Sequence, residues 1–156
     1  MARNAWLVRS GVDNELIAQV EREGFVAVGA GNLSDLRRFT SRRELLSEYQ
    51  KRNPEESAGQ VYLRGGQLWK IAREIEAGDI VLTPKRATRE LLMGIIVGQY
   101  QFAPKRLPDY PHTRLVSWTR KIGRDRLKPA LRNSAGGIST VFSLTRFLPD
   151  LEALLR

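Results

Sequence analysis

The sequence predicts an α+β fold in which a curved, mostly antiparallel sheet or partly open β-barrel is covered by packed helices. Short apolar, β-prone runs alternate with helix signals in the first half of the chain. Three strand-like runs then follow one another before the last elements. With 156 residues, of which 42% are hydrophobic, the chain is long enough to bury a core, so we expect residues 1–156 to form a single domain.

The first part of the chain predicts two strands that flank a helix. The run AWLVR at 5–9 and the run FVAVG at 25–29 have the composition of short strands. Between them, Asp13 can cap a helix that carries apolar residues on one face and ends at Gly24.

Three further helices are predicted before the next strand. One begins at Ser41, whose spacing to Glu44 is that of a capping box. A second begins at Asn53, which precedes a proline at the first helical position. The two glycines at 65–66 predict an interruption, and the apolar spacing of 67–77 predicts the third helix.

The second half predicts strands joined by irregular connections. Residues 84–89 are expected to form a basic hairpin tip, and Gly94 indicates a bulge or a close backbone approach inside the following strand. Prolines make 103–112 an irregular loop. The predicted elements are strands at 80–83, 91–102, 114–119 and 138–144 and helices at 125–131 and 149–155.

The net charge of +9 lies in one segment of the chain. Residues 85–132 contain twelve Lys or Arg and three acids, whereas bases and acids balance elsewhere. A basic segment interleaved with aromatic residues is typical of a protein that binds a polyanion, and nucleic acid is the commonest such partner. A surface that is charged only for solubility would not require this concentration.

The composition disfavours catalysis by this chain. The absence of cysteine excludes disulfides, thiol chemistry and cysteine metal sites, and it fits a reducing cytoplasm. His112 is the only histidine, and the carboxylates of the basic segment are scattered rather than clustered for Mg²⁺. We expect no membrane span and no signal peptide, and the sequence contains no nucleotide-binding glycine fingerprint. We therefore expect a cytoplasmic binding protein without catalytic residues, metal, cofactor or membrane partner.

Aromatic side chains are the strongest candidates for contact with a base. Trp69 lies beside the apolar stripe of its predicted helix, and Tyr100 and Tyr110 flank the proline-rich loop. Stacking on a base contributes about 1–3 kcal/mol per aromatic side chain. The alternatives are partial burial of Trp69 and a small core beneath the loop. Trp6 and Trp118 are expected in the core.

Several ordered motifs resemble a known family. The stretches AWLVRSG, FVAVGAG, GGQLWKIAREIEAGDIVLTP, LMGIIVGQYQF, DYPHTRLVSW and LRNSAGGISTVF are similar to the N-terminal domain of Mrr-like modification-dependent restriction proteins. More remotely, the pattern resembles the EVE and YTH domains of the PUA-like superfamily. The resemblance covers nearly the whole chain. It implies a small barrel that reads one modified base, flipped out of duplex DNA into an aromatic and polar pocket, and that targets a nuclease domain or subunit.

The resemblance also implies where the base pocket lies. The stretch 9–11 matches the K-S element that lines the pocket in EVE and YTH domains, and 29–32 matches the turn after the second strand. Relatives often have a tryptophan where this chain has Ala30. That aromatic wall of the pocket is therefore either missing here or supplied by another aromatic residue. The predicted base pocket consists of Ser10, Gly11, Gly29, Ala30, Gly31, Asn32, Trp69, Tyr100 and Tyr110.

The basic surface is expected to hold the phosphates of the nucleic acid. The stretch 132–134 matches the loop before the last strand, which contributes to phosphate contact in YTH-like domains. The predicted phosphate-binding residues are Arg9, Lys85, Arg86, Arg89, Lys105, Arg106, Arg132, Asn133 and Ser134.

Two alternatives to a reader of modified DNA remain open from the sequence. An RNA-binding PUA-like module would stack single-stranded RNA on the same aromatic residues, and the 2′-OH would distinguish the two nucleic acids. A general basic DNA-binding domain would show no preference for a modified base. An enzyme that acts on nucleic acid ranks last, because the sequence lacks clustered carboxylates and cysteine.

Overall fold

The computed structural model describes residues 3–29 and 32–156, and these form seven strands and five α-helices joined by short turns. The strands are β1 (Ala5–Val8), β2 (Phe25–Val28), β3 (Ile80–Lys85), β4 (Glu90–Ile96), β5 (Gln101–Phe102), β6 (His112–Gly123) and β7 (Val141–Ser143). The helices are α1 (Ile17–Glu23), α2 (Arg42–Arg52), α3 (Ala58–Trp69), α4 (Pro129–Ala135) and α5 (Leu148–Leu155). Their order is the predicted one with two exceptions: α3 replaces the second and third of the helices predicted before β3, and β4 and β5 replace one long strand.

The strands form one strongly curled sheet, a half-barrel. Its order is β2-β6-β4-β3-β1-β7, and β5 pairs with β6 outside this path. The long β6 pairs with β2 and β5 through its first residues and with β4 through the rest. Among the described strands, β1 and β3 form the one parallel pair, with Ala5 opposite Ile80. The predicted α+β fold with a curved, mostly antiparallel sheet and packed helices is confirmed.

Helices cover both faces of the sheet, and β1 is therefore buried on both sides. All four residues of β1 are buried. Trp6 and Val8 belong to a core shared with α2 and α3, whereas Ala5 and Leu7 belong to a second core shared with α4 and α5. Because successive side chains of a strand point to opposite faces, a continuous apolar run is typical of a strand that is buried on both sides.

The strand predicted at 91–102 is divided in two, which corrects the prediction. β4 ends at Ile96, and the chain leaves the sheet before β5 begins. The bulge predicted at Gly94 is present, because the register of β4 against β6 shifts just before that residue. A Cβ at Gly94 would lie 2.4 Å from the carbonyl oxygen of Ser117, so this close approach requires glycine.

The glycines at 65–66 do not interrupt a helix, contrary to the prediction. α3 begins later than predicted, after Ser57, whose capping box is complete, and it continues through both glycines into a π turn at Lys70–Glu74. A Cβ at Gly65 would lie 2.4 Å from the Leu46 side chain on α2. The two glycines therefore allow α2 and α3 to pack closely. The free energy gained by burying apolar residues of both helices exceeds the free-energy cost of glycine inside a helix.

Arg114 of β6 is buried and joins the end of the π turn to the sheet. Its guanidinium donates to the carbonyl oxygens of Ile75 at 2.7 Å, Ile71 at 3.3 Å and Gly98 at 2.9 Å. The last carbonyls of a helix lack partners within the helix and carry partial negative charge. Burial lowers the pKa of Arg114, an effect that the nearby carboxylate of Asp79 opposes. The buried cation is therefore stabilised by the carbonyls that it satisfies.

We predict that Arg114→Met lowers the free energy of unfolding by about 3 kcal/mol, because the buried carbonyl oxygens lose their charged donor. Chemical denaturation followed by circular dichroism measures this change. Arg120→Met is the matched control, since Arg120 is exposed on the same strand and its replacement should change stability by less than about 0.5 kcal/mol. Equal effects of the two substitutions would contradict the role assigned to Arg114.

Candidate functional site

The loops that follow or precede several strands meet at one edge of the sheet. β1 is parallel to β3, so the ends of both strands reach the same edge. β7 is antiparallel to β1, so the residues before β7 reach that edge too. Two neighbouring clefts open there, and Arg9, the first residue after β1, lines both of them.

The first cleft, which we call the neutral cleft, has a volume of about 500 Å³, within the range of about 300–1,000 Å³ that is typical of small-molecule sites. Its described charged residues are two arginines and two carboxylates, Arg9, Arg64, Asp13 and Asp109. Its described uncharged residues are Gly11, Val12, Ala27, Val28, Gly29, Gln67, Tyr110 and Thr140. The cleft therefore suits an uncharged ligand with both apolar and polar surface.

Gln67 of α3 is the most specific feature of the neutral cleft. The residue is only 8% exposed, its amide has no hydrogen-bond partner among the described residues, and the amide atoms remain accessible to solvent. An amide offers a donor and an acceptor side by side, so Gln67 can pair with a ligand edge that carries the complementary groups.

Tyr110 forms an aromatic wall of the same cleft. Its hydroxyl accepts a hydrogen bond from the Val12 backbone N–H at 3.0 Å and donates to the carboxylate of Glu15. Burial raises the pKa of Tyr110, and the bond to Glu15 adds to that effect. Because both hydrogen-bonding functions of the hydroxyl are used, the ring is held in one orientation beside the loop after β1.

Gly29 is required by the close approach of two segments at the cleft. A Cβ at this position would lie 2.0 Å from the backbone carbonyl oxygen of Asp109. Any other residue would therefore push apart the end of β2 and the loop that carries Tyr110. Gly29 thus contributes to the site through its lack of a side chain.

The second cleft, which we call the cationic cleft, has a volume of about 530 Å³. Five of its described lining residues are basic, and the single described carboxylate among them is Glu90. The basic residues are Arg9, Lys85, Arg86, Arg89 and Arg124. Burial lowers the pKa of Arg9, as do the nearby charges of Arg86 and Arg124. Such a concentration of positive charge favours an anionic ligand.

Asn14 connects the loop after β1 to the hairpin between β3 and β4. Its side-chain amide donates to the carbonyl oxygen of Pro84 at 2.9 Å and accepts from the backbone N–H of Arg86 at 2.9 Å. The basic hairpin tip predicted at 84–89 is confirmed as the connection between these strands. Asn14 holds this tip beside the neutral cleft, so the two clefts have a fixed relative position.

The structure brings together only part of the predicted base pocket. Gly11, Gly29 and Tyr110 line the neutral cleft. Ser10 lies beneath the surface, with its hydroxyl 2.6 Å from that of Thr83, and does not line the cleft. Ala30 and Gly31 lie outside the described residues, and Asn32 is exposed beside them without lining the cleft.

Two predicted aromatic residues of the pocket lie elsewhere. Trp69 is half-buried against the core shared by α2 and α3, with the Arg73 guanidinium 5.6 Å from its ring centre. Tyr100 is buried, and its hydroxyl accepts from the Leu36 N–H and bonds to Nδ1 of His112 at 2.7 Å. Burial raises the pKa of Tyr100 to about 12. Both side chains serve packing, the alternative that the sequence left open for Trp69.

The predicted phosphate-binding residues divide into three groups. Arg9, Lys85, Arg86 and Arg89 line the cationic cleft, although Lys85 also pairs with Glu21 at 2.8 Å. Lys105 and Arg106 lie on the loop before β6 and line neither cleft, and Arg106 pairs with Glu23 at 2.8 Å. Arg132, Asn133 and Ser134 lie in α4 rather than in the predicted loop, and they line neither cleft.

The sequence reasoning missed several lining residues. Gln67 and Arg64 come from the middle of α3, where the expected break at 65–66 concealed a continuous helical face. Arg124 was counted in the basic segment without being placed in the site. The capping box formed by Ser57 and Gln60 is the sequence signal that could have predicted these residues. It starts a helix that continues through both glycines.

Residues 3–29 and 32–156 contain no group of three or more His, Cys, Asp or Glu placed to hold a metal ion. None of the described helices is long and apolar enough to cross a membrane.

The fold and the site define a class of protein, a helix-covered half-barrel with a neutral cleft beside a cationic one. The chain belongs to the family described as Domain of unknown function (DUF8426), which matches residues 6–145. No curated protein matches the sequence. Because the family is described without a function, the resemblance to Mrr-like restriction proteins stays a prediction.

Among solved structures, the chain is similar to one described as YTH domain-containing protein mmi1 and RNA complex. The sequence identity is 10% and the TM-score is 0.40. The match covers 85% of this chain and 62% of the other chain. A likeness of this extent is too weak to carry a functional inference.

His112, the partner of Tyr100, predicts a pH dependence of stability. Burial lowers its pKa from 6.5 to about 4, so the folded protein favours the neutral imidazole. The resulting stability is fully present above pH 6.5 and is lost as the pH falls from 6.5 to about 4. We expect the free energy of unfolding to fall by about 2 kcal/mol between about pH 8 and pH 5 because of this residue.

Denaturation at several pH values measures the effect, with His112→Gln as the comparison. Because the chain has a single histidine, the difference between the two proteins isolates this imidazole from the carboxylates. The pH dependence above pH 5 should be largely lost in the variant. Parallel curves for the two proteins would show that His112 does not titrate on unfolding.

Proposed function

We propose that this chain is a non-catalytic nucleic-acid-binding domain that recognises a modified base in DNA. The base enters the neutral cleft, and the phosphates next to it lie in the cationic cleft. The observation that carries the proposal is the adjacency of these two clefts, which share Arg9. A nucleotide combines an uncharged, partly apolar base with an anionic phosphate, so one ligand matches both clefts.

The neutral cleft supports recognition of a base rather than of a second phosphate. The carboxylates of Asp13 and Asp109 would repel an anion there, and they can accept from an exocyclic amino group. Gln67 can form a paired donor and acceptor contact with a base edge, as glutamine does with bases in DNA complexes. Tyr110 supplies an aromatic wall, and base–aromatic stacking contributes about 1–3 kcal/mol.

The apolar part of the neutral cleft supports a preference for a modified base. Val12, Ala27 and Val28 line it beside the polar residues. A methyl group added to a base gains free energy when it is buried against such side chains, about 0.8 kcal/mol for each CH₂-sized group. The resemblance to modification-dependent restriction proteins points to DNA as the nucleic acid and to a nuclease domain or subunit as the partner that this domain targets.

Fluorescence anisotropy on a panel of short oligonucleotides tests the proposed function. The panel contains four versions of one DNA duplex and the matched RNA. One version is unmodified, and the others carry N6-methyladenine, 5-methylcytosine or 5-hydroxymethylcytosine. Preference for one modified duplex is the expected result. Stronger binding of the RNA would instead support an RNA-binding module, and uniform, salt-sensitive binding would support a general DNA-binding domain. Binding that does not depend on salt would exclude nucleic acid as the ligand.

We predict that Gln67→Met weakens binding of the preferred oligonucleotide by about tenfold, since a well-placed paired contact to a base is worth about 1–3 kcal/mol. The same change should leave the melting temperature unaltered or slightly higher, because the amide has no partner among the described residues. Anisotropy and thermal denaturation measure the two effects. Gln50→Met, at an exposed position on α2, is the control. Loss of stability without loss of affinity would refute the role in base contact.

We predict that Arg124→Gln weakens all DNA duplexes alike, whether modified or not. Removal of one phosphate contact should also lower the slope of log affinity against log salt by about 0.9. A salt titration of the wild type and the variant measures this slope. Lys51→Gln removes the same charge from an exposed site on α2 that lines neither cleft, and it should leave the slope unchanged. An equal decrease for Lys51→Gln would indicate a diffuse charge effect instead of a site.

A further inference from the structure

Ile138 is 95% exposed, which is the largest value among the exposed large hydrophobic residues described. Exposure of a single apolar side chain is common on protein surfaces. The position of this one is unusual, because Ile138 lines the cationic cleft while Thr140, two residues on, lines the neutral cleft. The side chain therefore stands at the rim where a bound strand would pass from phosphate contact to base contact.

The segment that carries Ile138 is held firmly in place. The Arg9 guanidinium donates to the carbonyl oxygens of Gly137 and, at 3.2 Å, Ser139, which are the residues on either side of Ile138. The Arg9 backbone N–H also donates to the carbonyl oxygen of Thr140 at 2.8 Å. The apolar side chain is therefore presented by an anchored backbone. Its exposure is a property of this built rim, because both neighbouring carbonyls are fixed by one cation.

The surroundings of Ile138 indicate what could cover it. The same cleft contains Arg86, Arg89 and Arg124, so the partner presents anionic groups around an apolar interior. A nucleic-acid duplex has this arrangement, with phosphates outside and apolar base faces inside. Apolar side chains that enter a duplex between base steps unstack them, and the opened duplex then gains contacts with the protein.

We propose that Ile138 is a wedge that enters the base stack of a duplex beside the recognised base, so that the domain acts on bases that must leave a duplex. The inference rests on the proposed function, because the wedge has a purpose only if the neutral cleft receives the extruded base. Arg9 is then a positioning residue for the wedge as well as a cation of the cleft. Single-stranded nucleic acid needs no unstacking, so the wedge gives it no advantage.

The test uses Ile138→Ser on three probes with the same target strand. The probes are an unmodified DNA duplex with one adenine replaced by 2-aminopurine, the same duplex with that base mispaired, and the single strand alone. We expect the paired duplex to bind about tenfold more weakly, at the low end of what burial of an isoleucine side chain contributes. The single strand should change by less than about twofold, as for an ordinary surface substitution. The mispaired duplex should lose less than the paired one, because its base already leaves the stack more easily.

The fluorescence of 2-aminopurine supplies a second readout, since it rises when the base unstacks. The rise that wild-type protein produces in the paired duplex should be reduced by Ile138→Ser and restored by Ile138→Leu. Val97→Ser is the matched control, because Val97 is 56% exposed and lines neither cleft. It should leave both affinity and fluorescence unchanged.

Several results would overturn the wedge. An equal loss of affinity on the duplex and the single strand would make Ile138 a general apolar contact. Vesicles that contain anionic phosphatidylserine are a further probe. If Ile138→Ser abolishes binding to these vesicles and leaves duplex binding intact, Ile138 belongs to a membrane-binding surface instead. Wild-type protein that binds neither these probes nor any duplex of the modified panel would remove the proposed function together with the wedge. Duplex binding that depends on Gln67 but not on Ile138 would remove the wedge alone.

Discussion

The arrangement of the site depends on the buried guanidinium of Arg114. α3 and its π turn end against the sheet, where the final carbonyl groups would otherwise be buried without donors. Arg114 satisfies two of them together with the carbonyl of Gly98, and this fixes the end of the helix to β6. The position of α3 decides where Gln67 and Arg64 meet the loops that follow β1 and β2. A core interaction thus sets the geometry of a surface cleft.

The separation of charge between the two clefts follows from the topology of the sheet. Because β1 and β3 are parallel, the basic hairpin after β3 lies beside the end of β1. The uncharged end of β2 lines the neutral cleft together with Arg64 and Gln67 of α3. Arg9 stands between the two surfaces, and the topology therefore places a site for an uncharged group next to a site for an anion. Neither cleft would indicate the class of ligand by itself.

The sequence predicted the fold and the basic character well, since continuous apolar runs and local charge are visible in the residues themselves. It predicted the site only in part, because the choice among aromatic and basic residues depends on packing. Tyr100 and Trp69 were candidates by composition, and both are held by the core. Lys85 and Arg106 each pair with a glutamate from the region of α1. Gln67 resembles any helical glutamine until the fold shows that it lines the cleft and that no described residue pairs with its amide.

Several features that destabilise a folded chain lie at this one edge. Asp13, Asn14 and Arg89 have left-handed backbone conformations with φ of 52°, 63° and 54°, each of which costs about 1 kcal/mol or more in a non-glycine residue. Burial and the neighbouring cations lower the pKa of Arg9, and Ile138 is almost fully exposed. The rest of the fold offsets these costs through cores on both faces of the sheet. Backbone strain, like charges held close together and an exposed apolar side chain have separate physical origins, and their coincidence around the two clefts is the pattern expected of a functional site.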